Sequence, residues 1–170
     1  MRRIVPVVGA LVLACCGCVT LWKAGIRPSD GGRMCAGELV PTAAIPDGFA
    51  LRAEVRVLAK PGIDWALTVA AQKTAGRLVV VGLDGFGAKL FTIVQQDTSL
   101  TVDRAFGRSM PWPPENVLRD IQVARLGATP GQGVSIERSA EEGGRVRVVI
   151  HDGSCDHVTI VVLAGDEAAR

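Results

Sequence analysis

Residues 49–57 read Phe-Ala-Leu-Arg-Ala-Glu-Val-Arg-Val, and their alternation decides the fold. Phe49, Leu51, Ala53, Val55 and Val57 fall on one face, and Arg52, Glu54 and Arg56 on the other. A period of two is the mark of a strand with one face buried. Pro61-Gly62 turns the chain, and Trp65, Leu67, Val69 and Ala71 alternate again until a turn at 73–76. Strands follow at 77–81, 89–96 and 100–103, separated by the glycine-rich stretch 82–87 and by Asp97-Thr98-Ser99. Strands at intervals of about ten residues, joined by tight turns, predict an antiparallel meander that curls.

The centre breaks this pattern. Residues 104–114 hold Phe106, Met110, Trp112 and prolines at 111, 113 and 114. Pro114 suits the first turn of a helix, and Glu115 suits its positive end. Val117, Leu118, Ile121 and Ala124 form one apolar stripe, with Arg119, Asp120, Gln122 and Arg125 as the polar side. This predicts one amphipathic helix of roughly twelve residues. After Pro130-Gly131 the strand pattern returns at 134–138, 145–151 and 157–163. The expected class is α+β, mainly β: an antiparallel, unclosed half-barrel whose concave face buries the stripe of a helical lid. Gly82-x-x-Gly85-x-Gly87 is not a dinucleotide fingerprint, because a strand follows it; the glycines instead suit a bend or bulge.

The chain starts differently. Arg2 and Arg3 precede an apolar run, 4–14, which ends in Cys15-Cys16-Gly17-Cys18. The run is too short to anchor across a bilayer, which takes about 20 residues, and reads as a secretory signal. Cysteine at its end resembles the lipobox of bacterial lipoproteins. Cys18 is the expected site of lipid attachment, with Cys15 as the alternative. The expected organisation is a lipoprotein signal peptide at 1–17, a Gly/Pro-rich flexible tether at 18–46, the folded domain at 47–165 and a polar tail at 166–170. Acyl chains on that cysteine hold a protein at a membrane without a spanning helix. With Val19 (or Cys16) after the lipidated residue rather than aspartate, the expected home is the outer membrane of a bacterial envelope, facing the periplasm. That compartment is oxidising, so Cys35 and Cys155 are a candidate disulfide pair, two free thiols being the alternative.

Charge narrows the partners. The net charge of +2 comes from Arg2 and Arg3, and without the signal 17 basic residues face 17 acidic ones. A neutral surface argues against nucleic acid.

The stretch 77–102, RLVVVGLDGFGAKLFTIVQQDTSLTV, and the segment 113–126, PPENVLRDIQVARL, carry a resemblance. Behind a lipobox, they are similar to the LolA/LolB superfamily of periplasmic lipoprotein carriers. The chain looks most like a family of small bacterial outer-membrane lipoproteins, a domain of unknown function related to LolB. The resemblance implies an unclosed antiparallel barrel covered by helices, with an apolar cavity for acyl chains. It implies as partners lipid or lipoprotein acyl chains and a periplasmic carrier protein.

The expected cavity lining falls in three groups. Trp65, Leu67 and Val69 lie on the second strand, and Leu83, Phe86 and Phe91 around the glycine-rich stretch, with Ile93 beyond. Phe106, Met110 and Trp112 lie in the proline-rich loop, and Leu118 and Ile121 on the helix. Large aromatics and methionine suit a deformable apolar site, although the same residue types also fill cores. The expected function is non-catalytic binding or transfer of an apolar ligand, with no cofactor and no metal. The alternative is a structural or interaction lipoprotein with a filled barrel. A further alternative places a metal or a Cys/His hydrolytic pair at the 151–157 hairpin, where His151 and His157 flank an Asp-Gly-Ser turn near Cys155, Asp152 and Asp156. There is no G-x-S-x-G nucleophile elbow.

Overall fold

The structure is a computed structural model and describes residues 34, 35, 37–105 and 110–164. The expected signal peptide, Cys15, Cys18, Phe106 and the tail 166–170 lie outside the described residues.

Eight strands form one antiparallel sheet: β1 (Ala50–Ala59), β2 (Ile63–Thr74), β3 (Arg77–Leu83), β4 (Lys89–Gln96), β5 (Ser99–Arg104), β6 (Val134–Ala140), β7 (Val146–Asp152) and β8 (His157–Leu163). Their spatial order is β5-β4-β3-β2-β1-β8-β7-β6. The sheet is therefore two meanders joined where β1 pairs β8, Val55 opposite Val161. Among the described residues β5 and β6 do not pair, so the sheet stays open. One helix, α1 (Pro114–Leu126), links these two edges.

The alternation in residues 49–57 is realised in β1, whose residues are exposed and buried in turn. Cross-strand register carries the same parity outward. Val55, Leu67 and Val161 share the inner face with Val69, Val80 and Ile93. At the end of β3 the register shifts between Gly82 and Leu83. The Phe91 ring lies against the Gly82 backbone, where a Cβ would collide with it. The glycine thus admits the aromatic ring and the bulge together.

Helix α1 begins at Pro114, with Glu115 in its first turn, and ends at Gly127 in the left-handed region (φ 65°). From β6, Arg138 donates to the Val123 and Ala124 carbonyls at 3.3 and 3.2 Å, placing a cation at the negative helix end. The helix touches β4 on one flank and β7 and β8 on the other. Neighbouring strands lie about 4.8 Å apart and a helix is only about 10 Å across, so a flat sheet could not reach both flanks. The sheet is wrapped around the helix.

The expected polar side of this helix is not a solvent face. Arg119, Asp120 and Gln122 are buried. The cause is the chain before β1, of which residues 18–46 are the expected flexible tether. Its described part, from residue 34, packs as a strap. Asn116 accepts from the Cys35 amide at 3.0 Å and Gln122 from the Val40 amide at 2.8 Å. Gly37 bridges to Pro130, pressed close to the Arg119 side chain. Gln122 donates to Gln95 of β4 at 2.7 Å, and Gln95 donates to the Val40 carbonyl at 2.7 Å. This closed ring of amides joins strap, helix and sheet. Buried polar groups persist because each is satisfied in this way.

Candidate functional site

The strongest concentration of chemistry lies between α1 and the inner face of β7 and β8. Antiparallel register places Asp152 opposite His157, and β8's parity turns His157 and Thr159 inward. The helix supplies Arg119 and Asp120 to the same space. Asp120 accepts from the Arg119 guanidinium at 2.7 Å, from the Thr159 hydroxyl at 2.6 Å and from His157 Nε2 at 3.1 Å. The Arg119 guanidinium also reaches Asp152 at 3.1 Å. Asp120, Asp152 and His157 have fully buried side chains. Two carboxylates and a guanidinium, removed from water, are tolerable only because each has partners.

Asp152 is held from two sides. One oxygen accepts from the Ser154 amide at 2.9 Å and the Ser154 hydroxyl at 2.6 Å. Burial pushes its carboxyl up, but the Ser154 hydroxyl, the Arg119 charge, the Ser154 amide and the nearby His157 ring together hold it below its ordinary value. Next to this turn Cys155 is disulfide-bonded to Cys35, 120 residues away, with Cα atoms 5.6 Å apart. The bond pins the strap over the β7–β8 turn. Trp112 covers the other side of His157, with ring centroids 4.7 Å apart.

A cleft of about 430 Å³ opens beside the cluster, at the end of the sheet where β1 meets β8. Leu58, Ala59, Ile63 and Val158 supply its apolar wall, Lys60 and His151 are among its polar lining, and it also touches Asp152 and His157. A second cleft of about 390 Å³ lies among outer-face residues of β1, β2 and β8, including Ala66, Thr68, Ile160 and Val162.

The expected cavity lining is distributed otherwise. Leu67, Val69, Phe91, Ile93, Met110, Trp112, Leu118 and Ile121 are buried together in the core. Trp65 is half-buried against them. Leu83 does not join that core: it pairs with Thr68, beyond the bulge and on the outer parity, half-buried. Phe86 is 99% exposed, because it occupies the tip of the β3–β4 turn. There Asp84 accepts from the Phe86 and Ala88 amides at 3.0 and 2.9 Å, which points the tip away from the core.

The 151–157 hairpin also differs from expectation. His151 and His157 sit on opposite sheet faces, because residues six apart are separated by a turn whose register pairs His151 with Val158. His151 lies 3.8 Å from Glu137 on the outside. Asp156 faces solvent near Lys60, at 3.5 Å. Cys155, bonded to Cys35, offers no thiolate in this state. Sequence reasoning had missed Arg119 and Asp120, assigned to a solvent face. Their signal was the polar ridge Asn116, Arg119 and Gln122 at intervals of three, too continuous with the buried stripe for an exposed side.

Fold and site together define a mainly-β protein: an open antiparallel sheet wrapped on one helix, with an ionic cluster locked between them. The chain belongs to the family described as protein of unknown function (DUF3261), which matches residues 54–160. That span takes in Arg119, Asp120, Asp152 and His157 and leaves out Cys35 and the strap. A comparison with curated proteins found no match.

Proposed function

We propose that the protein is an acyl-anchored envelope lipoprotein that faces the periplasm and binds or transfers an apolar ligand without catalysis. Its half-barrel is of the LolA/LolB kind, and its partners are the membrane, lipid or lipoprotein acyl chains and a periplasmic carrier. The observation that carries this reading is the cleft walled by Leu58, Ile63 and Val158 at the end of the sheet where β1 meets β8. Its volume of about 430 Å³ falls within the range of small-molecule sites. In this reading the ligand enters there, since the Trp112 ring packs on His157. Loss of apolar surface from water supplies the driving force.

A second reading, a filled barrel serving as scaffold or interaction module, is favoured by the packing of Phe91, Met110, Trp112 and Leu118 into one core. Mass spectrometry of lipid co-purified with the chain from residue 19 onward separates the two. Ile63→Glu should abolish uptake of a fluorescent fatty acid at the cleft. Uptake that survives this substitution rules out the cleft, and no uptake by the unaltered chain leaves the scaffold.

A further inference from the structure

Four groups with metal-ligand chemistry converge beneath the strap: Cys35, Cys155, Asp152 and His157, with donor atoms all within 4.8 Å of one another. In the oxidised protein the two sulfurs are bonded to each other. We propose that, when a dithiol reduces this bond, the two sulfurs, His157 Nδ1 and an Asp152 oxygen form a four-ligand site for Zn²⁺. The inference is independent of the proposed function.

The donor set fits the ion. Zn²⁺ takes thiolate, imidazole and carboxylate ligands in a tetrahedron, with bonds of about 2.0–2.3 Å and hence ligand–ligand edges of roughly 3.3–3.8 Å. His157 Nδ1 already lies 3.8 Å from Cys35 Sγ. On reduction the two sulfurs must part from bonding distance to such an edge, and the other donor pairs, at most 4.8 Å apart, must close by about an ångström. The surroundings are those of a metal site rather than of an incidental cluster. Asp120 lies 3.1 Å and the Arg119 guanidinium 3.5 Å from His157 Nε2, and the tautomer suited to a metal is the one in which Nε2 donates to Asp120. That tautomer leaves the Nδ1 lone pair aimed at the sulfur. A carboxylate behind a histidine is the usual device for orienting a metal ligand. Asp152 Oδ2 is buried and accepts no hydrogen bond, although the Arg119 guanidinium is 3.1 Å away. Its other oxygen is fixed by Ser154. With two thiolates and one carboxylate the filled site carries a single net negative charge, which the Arg119 guanidinium offsets.

The chemistry balances. The protein disulfide accepts two electrons and two protons from the dithiol, which closes to its own disulfide. The two new thiols each release a proton as the metal binds. In an oxidising compartment the bond stays closed, and the metal form belongs to conditions where a dithiol reaches it.

The test uses the full chain with Cys15, Cys16 and Cys18 replaced by alanine, so that only Cys35 and Cys155 supply sulfur. The chain is reduced without oxygen and titrated with Co²⁺ as a spectroscopic stand-in, then with Zn²⁺. A sulfur-to-cobalt charge-transfer band should saturate at one ion per chain and disappear on zinc addition, while the oxidised chain shows none. Asp152→Asn should weaken binding at least tenfold, and Asp120→Asn about 10–100-fold through the histidine alone. Because Asp120→Asn also strips a buried ionic cluster and can unfold the chain, thiol alkylation provides a second measurement without that substitution. Zinc should protect both cysteines of the reduced chain. Absence of the band, alkylation as fast with zinc as without, or a reduced chain that unfolds and is not refolded by zinc would each overturn the proposal.

Discussion

The two flanks of the helix are covered by the same sheet with different chemistry, one apolar apart from the Gln95–Gln122 amides and the other ionic. Toward β3 and β4 lie Leu78, Val80, Phe91 and Ile93, each at most 1% exposed. Toward β7 and β8 lie Asp152, His157 and Thr159, closed over Arg119 and Asp120. The apolar flank gains from every square ångström removed from water and depends on shape rather than on particular partners. The ionic flank gains little net energy, because desolvation consumes most of the attraction, yet it tolerates no missing partner. One flank therefore supplies stability, and the other fixes the helix in a single position against the sheet.

The largest expected effect comes from breaking the ionic flank. Asp120→Ala leaves Arg119 and His157 buried without their shared acceptor, and should cost about 3–5 kcal/mol in urea unfolding. Ile93→Val on the other flank should cost only about 0.5–1.5 kcal/mol. Equal costs would erase the distinction between the flanks. A smaller effect is expected from crowding the apolar flank. Gly82→Ala drives a methyl group into the Phe91 ring and should cost about 1–3 kcal/mol, read as a lower urea midpoint with an unchanged slope. Full recovery in a Gly82→Ala/Phe91→Leu double variant would locate the clash at that contact.

These two positions also mark how far the fold was legible in the residues. The alternation of 49–57 and the turns after it located the strands, since parity in a half-buried sheet is a strong constraint. The glycines of 82–87 signalled a bend, and the structure puts the register shift there. The stripe Val117, Leu118, Ile121 and Ala124 located the helix for the same reason. The site was less legible, because it depends on long-range contacts without periodicity. Residues 35–46 carry no pattern, so nothing local indicated that they would cover Arg119 and Gln122. The inward turn of His157 follows from β8's parity, but its meeting with Asp120 follows only from how the helix crosses the sheet. Phe86 shows the converse error: residue type suggested an apolar lining, while the Asp84 turn around it determined exposure.

A graded pH effect sharpens the comparison further. The Asp152 carboxyl is held below its ordinary value, so its folded form keeps the charge longer than the unfolded form does. Its stabilising contribution is complete above the unfolded value, near 4, and is lost as pH falls from there through the folded value. The urea midpoint of the unaltered protein should drop below pH of about 4 more steeply than that of Asp152→Asn. Parallel curves for the two proteins would remove Asp152 from the acid-sensitive part of the ionic flank.

The smallest expected effect is at Phe86, and it is read against Phe91, only a turn away, where emptying the apolar flank should cost as much as breaking the ionic one. Phe91 is fully buried over Gly82, and Phe91→Ala should cost about 3–5 kcal/mol. Phe86 is 99% exposed on a tip whose hydrogen bonds come from Asp84 and the backbone, so Phe86→Ser should change stability by no more than about 0.5 kcal/mol. The same chemical group contributes through burial alone, and neither its type nor its place in a strongly apolar stretch substitutes for that. Asp84→Ala gives the complementary measurement. It should loosen the tip, read as faster amide exchange at Phe86 and Ala88, while exchange in β4 beyond Phe91 stays unchanged. A Phe86→Ser variant as unstable as Phe91→Ala would mean that the tip is packed in solution and that the turn belongs with the apolar flank.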